Sequence, residues 1–158
     1  MRNLDIHSNF EEYKGIEELS ASDQELFKSA VEARDKAYAP YSNFHVGAAI
    51  LLDDGSIVLG NNQENMAYPS GLCAERVALF SASSQFPDKN IEAIAISSPE
   101  DIEIFSPCGS CRQVMAEIRE KSGKNFDIIL YTPNNSIKVF EGIEQLLPFS
   151  FKNSSLKK

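Results

Sequence analysis

Apolar positions along this chain switch between helical and strand spacing several times, and each switch marks an element boundary. Leu26, Phe27, Ala30, Val31, Ala33 and Ala37 fall on one helical stripe, which predicts a helix over about 22–38. Ser22-Asp23-Gln24-Glu25 supplies a cap and a first-turn acid at its start, and Pro40 stops it. His45 to Leu52 and Ile57 to Gly60 read as strands, joined through Asp53-Asp54-Gly55-Ser56, where Gly55 can take positive φ. A second helix starts near Cys73 and carries Val77, Leu79, Phe80 and Ala82. Ile91 to Ser97 is an isoleucine-rich buried strand. Pro107 suits the first turn of a third helix, where its missing N–H costs nothing; Val114, Met115 and Ile118 form its buried side and Gly123 its end. Phe126 to Tyr131 and Ile137 to Phe140 are further strands, and a short helix at Ile143 to Leu147 ends at Pro148.

Strands alternating with helices predict a single α/β domain, three-layered α/β/α, with a mixed five-stranded sheet. Residues 1–21 are polar and weakly periodic and read as an N-terminal extension, 22–151 as the folded domain, and 152–158 as a polar tail. A chain of 158 residues suits one core. Its net charge of −8 disfavours nucleic-acid partners, which are held by Lys and Arg. The first residues contain no apolar run of signal-peptide length and no stretch is long enough to span a bilayer, so the expected location is cytoplasmic, with no membrane partner.

The chemistry is concentrated in the only three cysteines, within Cys73-Ala74-Glu75-Arg76 and Pro107-Cys108-Gly109-Ser110-Cys111-Arg112. An odd cysteine count without an export signal favours metal over disulfides. Three thiolates leave a zinc ion one ligand short of closed, the arrangement of catalytic zinc sites that keep a position for water. Each motif opens a predicted helix, whose unpaired N–H groups and dipole stabilise thiolates. Glu75 follows the first ligand closely enough to carry a proton, and Arg76 is placed to offset the negative charge of the sulfurs.

Together these motifs resemble the zinc-dependent cytidine deaminases, of the small homotetrameric type with three cysteine ligands. The resemblance includes Tyr41-Ser42-Asn43-Phe44-His45-Val46-Gly47-Ala48-Ala49, Asn62-Gln63-Glu64-Asn65, Cys108-Gly109-Ser110-Cys111-Arg112-Gln113 and Leu147-Pro148-Phe149-Ser150-Phe151. Where many related enzymes have Gly-Cys-Asn, this chain has Gly60-Asn61-Asn62.

The resemblance implies one zinc ion per subunit, held by Cys73, Cys108 and Cys111. It implies hydrolytic deamination of cytidine and 2'-deoxycytidine for pyrimidine salvage: zinc-bound hydroxide attacks C4 while Glu75 shuttles protons. It further implies that Asn62 and Glu64 hold the ribose, that Phe44 lines the base pocket, and that backbone near Ala74 meets the amide edge of the base. Phe151 would cover the base of a neighbouring subunit, in a homotetramer with active sites at the interfaces. A deaminase of nucleoside antibiotics shares the zinc motifs, but the ribose residues and the terminal Leu-Pro-x-x-Phe pattern favour the nucleoside enzyme.

Overall fold

The computed structural model describes residues 3, 5–98, 105–131 and 136–152. Six strands form one mixed sheet in the order β1-β6-β5-β4-β2-β3, comprising β1 (Glu11–Tyr13), β2 (Gly47–Leu52), β3 (Ile57–Asn61), β4 (Ile91–Ser97), β5 (Asp127–Tyr131) and β6 (Ile137–Glu141). Only β4 and β5 are parallel; every other neighbouring pair is antiparallel. Helices α1 (Ala21–Arg34), α2 (Ala74–Gln85) and α3 (Gly109–Ser122) complete the layers. The α/β/α expectation holds, with six strands rather than five. The extra strand is β1, whose sequence Glu-Glu-Tyr has no alternation to betray it. Its register is set by pairing with β6, Glu11 opposite Val139 and Tyr13 opposite Ile137.

Side-chain alternation divides the core. Ala49, Ala93, Ala95 and Ile129 face α1, where Leu26, Phe27 and Ala30 meet them. Their neighbours Ala48, Ile50, Ile94, Ile96 and Ile128 face the other way, onto Ala78 and Leu79 of α2 and Met115 of α3. Alanine predominates on the first face and isoleucine on the second, so the sheet presents smaller side chains to α1 than to α2 and α3. At Gly60 a Cβ would lie 2.4 Å from Ala78 N and 2.6 Å from Ala74 O, so only glycine lets α2 approach β3. That contact fixes the helix whose first turn carries part of the site. Gly55, at φ +84°, closes the β2–β3 hairpin as expected.

Several boundaries differ from expectation. Helix α1 is capped by Ser20 rather than by Ser22 or Asp23: its Oγ accepts from Asp23 N at 3.2 Å and donates to Asp23 Oδ2 at 2.6 Å. The helix also stops at Arg34, because Tyr38 leaves to bridge Gln63. Pro107 lies before α3, whose cap is Cys108, and residues 143–145 form one 3-10 turn. No helix among the described residues is long and apolar enough to cross a membrane. Of the expected polar tail, residues 153–158 lie outside the described residues.

Candidate active site

Two helix N-termini on the same face of the sheet converge to make the site. Cys73 caps α2 and Cys108 caps α3, both with extended backbone and neither using its side chain to cap. Cys111 follows three residues into α3 and is buried. Cys73 Sγ lies 3.9 Å from Cys108 Sγ, which lies 3.4 Å from Cys111 Sγ, and all three sulfurs fall within 4.8 Å of one another. Tetrahedral zinc with bonds of about 2.3 Å places its sulfurs about 3.8 Å apart, so this triangle fits the ion. The donor set also fits: three soft sulfur ligands, free of disulfides, beside the positive ends of two helices.

The protons on these sulfurs are already unequally shared. Hydrogen bonding from Cys111, supported by Arg76 and Cys108, draws the Cys73 thiol down to about 5 against the opposing effect of burial. Donating that bond, together with burial and the nearby Glu75 charge, pushes Cys111 up. A metal ion needs all three as thiolates, so binding releases protons.

Glu75, the second residue of α2, is only 2 % exposed. Burial, reinforced by the Cys73 charge, raises its carboxyl to about 7. Arg76 holds Nη2 4.0 Å from Cys73 Sγ, while its buried Nε has no partner among the described residues. The guanidinium thus faces the sulfurs, as its proposed neutralising role requires.

Cys73, Glu75, Arg76 and Cys108 line a cavity of about 710 Å³ together with Phe44, Asn62, Glu64 and Ala74. Four of the five sequence-derived substrate residues, Phe44, Asn62, Glu64 and Ala74, therefore meet the metal cluster in one place. Phe44 packs against Phe105 with ring centroids 6.0 Å apart. Asn62 is buried; its Oδ1 accepts from Val46 N at 2.7 Å and its Nδ2 donates to Phe44 O at 2.8 Å. Half its hydrogen-bonding capacity thus holds the backbone that presents Phe44. Glu64 accepts from the Tyr41 and Ser42 amides and from the Ser42 hydroxyl, which together hold its carboxyl below the usual range. Tyr41 and Tyr68 stand edge to face, centroids 6.4 Å apart, along the same wall.

Phe151 is not among the residues lining this cavity; it is 61 % exposed. Its backbone is gripped by Gln113, whose Nε2 donates to Phe151 O at 2.8 Å and whose Oε1 accepts from Phe151 N at 3.0 Å. The neighbouring Arg112 donates to Pro107 O at 2.7 Å, Ser106 Oγ at 2.6 Å and Leu146 O at 2.7 Å. Arg112 therefore pins the segment before Cys108 and ties it to the C-terminal turn. Sequence reasoning gave roles to neither Arg112 nor Gln113, nor to Ser42 and Phe105. Ser42, Arg112 and Gln113 stand inside the quoted motifs, which was the available signal; Phe105 had none.

Comparison with known proteins places these features in context. Residues 20–123 match the family model described as the cytidine and deoxycytidylate deaminase zinc-binding region. A cytidine deaminase of Sporosarcina psychrophila is 39% identical over 134 residues, covering 84% of this chain and 93% of the relative. One from Halalkalibacterium halodurans is 50% identical over 95 residues, 60% of this chain and 70% of the relative. The crystal structure of cytidine deaminase from Burkholderia pseudomallei superposes with a TM-score of 0.70 at 40% identity, covering 80% of this chain and 97% of that one.

Proposed function

This chain belongs to the cytidine and deoxycytidylate deaminase family, and from that premise we propose that it converts cytidine and 2'-deoxycytidine, with water, to uridine or 2'-deoxyuridine and ammonia. The observation that carries this reading is a three-sulfur cluster, two of whose cysteines line one cavity with the buried Glu75 and with Phe44, Asn62 and Glu64. Cys73, Cys108 and Cys111 would hold zinc, which when bound supplies Lewis acidity and a water of lowered pKa at C4 of the base.

Everything else falls to the chain's own side chains. Glu75 accepts a proton from the attacking water and delivers it to N3; it then takes the proton of the hydroxyl newly formed at C4 and gives it to the departing amine. Its burial next to the metal ligands keeps that exchange away from bulk water. Phe44 and Phe105 offer an apolar wall to the base, and the Ala74 backbone lies beside its amide edge. Glu64 accepts from a ribose hydroxyl, and Asn62 has one N–H and one lone pair left for the sugar. Arg76 offsets the negative charge of the thiolates and is the cation among the cavity's lining residues, turned toward sulfur. Glu64 on the sugar side repels a phosphate carried on the hydroxyl it accepts from, so free nucleosides rather than polynucleotides are the substrates.

Phe151, exposed and not among the residues lining its own cavity, fits a homotetramer in which it reaches the base bound by a neighbour. Residues 22–151 form the catalytic unit, and the free cysteines that zinc requires suit a cytoplasmic enzyme in pyrimidine salvage. The test is to incubate zinc-loaded protein with cytidine, 2'-deoxycytidine and deoxycytidylate, following the base by ultraviolet absorbance and the ammonia released. Matching loss of cytosine and gain of ammonia with the two nucleosides is expected. Turnover of deoxycytidylate alone would refute the nucleoside assignment.

A further inference from the structure

On the sugar side of the cavity, the loop Tyr41–Phe44 carries a hydrogen-bond relay. The Phe44 amide donates to Ser42 Oγ at 3.0 Å, and Ser42 Oγ in turn donates to Glu64 Oε1. Because its oxygen receives the Phe44 N–H, the serine hydroxyl has its own proton directed at the carboxylate, and bonds in such a series strengthen one another. The other carboxylate oxygen, Oε2, accepts the Tyr41 amide at 3.0 Å and the Ser42 amide at 3.3 Å. An ionised carboxylate offers roughly four acceptor positions. Three are occupied, and the one left is on Oε1, next to the serine hydroxyl.

The backbone is shaped for this arrangement. Asn43, between the two partners of the relay, has φ +54° and is the one non-glycine residue with positive φ among those described. Asparagine is among the few side chains that visit this region readily. On the far side, Asn62 holds Phe44 O and Val46 N, so the Phe44 peptide is fixed from two directions. Ser42 and Glu64 both line the cavity, while the serine hydroxyl is already committed to the carboxylate.

We propose that Ser42 is a positioning residue for substrate: it fixes the Glu64 carboxylate so that a single acceptor position on Oε1 is presented to one ribose hydroxyl. This rests on the reading that Glu64 holds the sugar, and it adds the residue that sets Glu64's orientation and limits it to one partner. Ser42 acts through Glu64, not on the base.

The experiment compares steady-state kinetics of wild type, Ser42→Ala, Ser42→Thr, Glu64→Gln and the Ser42→Ala/Glu64→Gln double variant. The substrates are cytidine and 2',3'-dideoxycytidine, which has no ribose hydroxyl on C2' or C3'. Ser42→Ala is expected to raise KM for cytidine about tenfold, with kcat within about twofold of wild type. With the dideoxy substrate the same variant should match wild type within about twofold, because there is no hydroxyl for a well-oriented Glu64 to accept. Threonine keeps the hydroxyl and should restore the cytidine KM, and the alanine change should add nothing to Glu64→Gln. An equal rise in KM for both substrates, or an unchanged KM for cytidine, would overturn the proposal. If the wild-type protein turned over no cytosine nucleoside, the deaminase reading itself would fall, a result distinct from either of those.

Discussion

At one end of the cavity, Cys73, Glu75, Cys108 and Cys111 ride on the first residues of two helices packed over the sheet; at the other, Ser42, Phe44 and Glu64 stand on loops held together by side-chain hydrogen bonds. The metal end is set by burial: Glu75 is 2 % exposed, and Gly60 brings its helix against β3. The sugar end is exposed at Tyr41, Ser42 and Asn43, and its shape comes from local bonds instead of core packing. On the proposed reading, chemistry that needs a dry, rigid geometry is placed on helices, and recognition of a hydrated sugar is placed on loops. The two ends should therefore fail differently, one in rate and the other in affinity.

The largest expected effect is at the metal end. Glu75→Gln should lower kcat by about 10²- to 10⁴-fold, the usual weight of a proton carrier, while zinc content by elemental analysis stays at one ion per chain. Retained turnover would remove Glu75 from the mechanism.

A smaller effect sharpens the contrast from outside the cavity. Arg112 touches no sulfur, yet its bonds to Pro107 O, Ser106 Oγ and Leu146 O hold the segment that carries Cys108. Arg112→Met should weaken zinc binding about 10- to 100-fold in chelator competition, as loss of groups supporting metal ligands typically does. Lysine, a single point donor, should not restore it. Unchanged affinity would show that helix packing alone positions Cys108.

The smallest effect concerns stability and pH in the metal-free protein. The Glu75 carboxyl sits at about 7 in the fold against an ordinary 4.5, so the folded state keeps a proton that the unfolded chain has released. Stability is therefore lost as pH rises from about 4.5 through 7 and stays reduced above. Glu75→Gln removes that loss, so its melting temperature relative to wild type should rise between pH 5 and pH 8 in chelator-treated samples. A difference that stays constant with pH would mean the buried carboxylate is compensated.

The two ends also differed in how far the sequence revealed them. Cys73, Cys108, Cys111 and Glu75 were legible because metal chemistry restricts residue type and spacing so tightly. Strands β2 to β6 were likewise legible as short apolar segments, β2, β4 and β5 as near-continuous apolar runs because both of their faces are buried. The strand β1 was not legible: three residues with two acidic side chains pair with β6 through the backbone, and Ser8 reaches Gln145 across 137 positions of sequence. The early end of α1 escaped for a related reason, because the Tyr38–Gln63 bridge is a tertiary pairing that overrides local propensity. Ser42, Arg112 and Gln113 stand in readable motifs, but their roles depend on which distant carbonyl or carboxylate they meet. A polar side chain announces its donors, not its partners.

The division of labour between the two ends is tested most directly by measuring kcat and KM for cytidine in Glu75→Gln and Glu64→Gln side by side, with zinc loading confirmed in both. The account predicts that Glu75→Gln loses kcat with KM within a few-fold of wild type. It predicts that Glu64→Gln keeps most of kcat and raises KM by about tenfold or more, consistent with one charge-assisted bond to a sugar hydroxyl. Equal loss of kcat in both variants, with KM unmoved in Glu64→Gln, would contradict it.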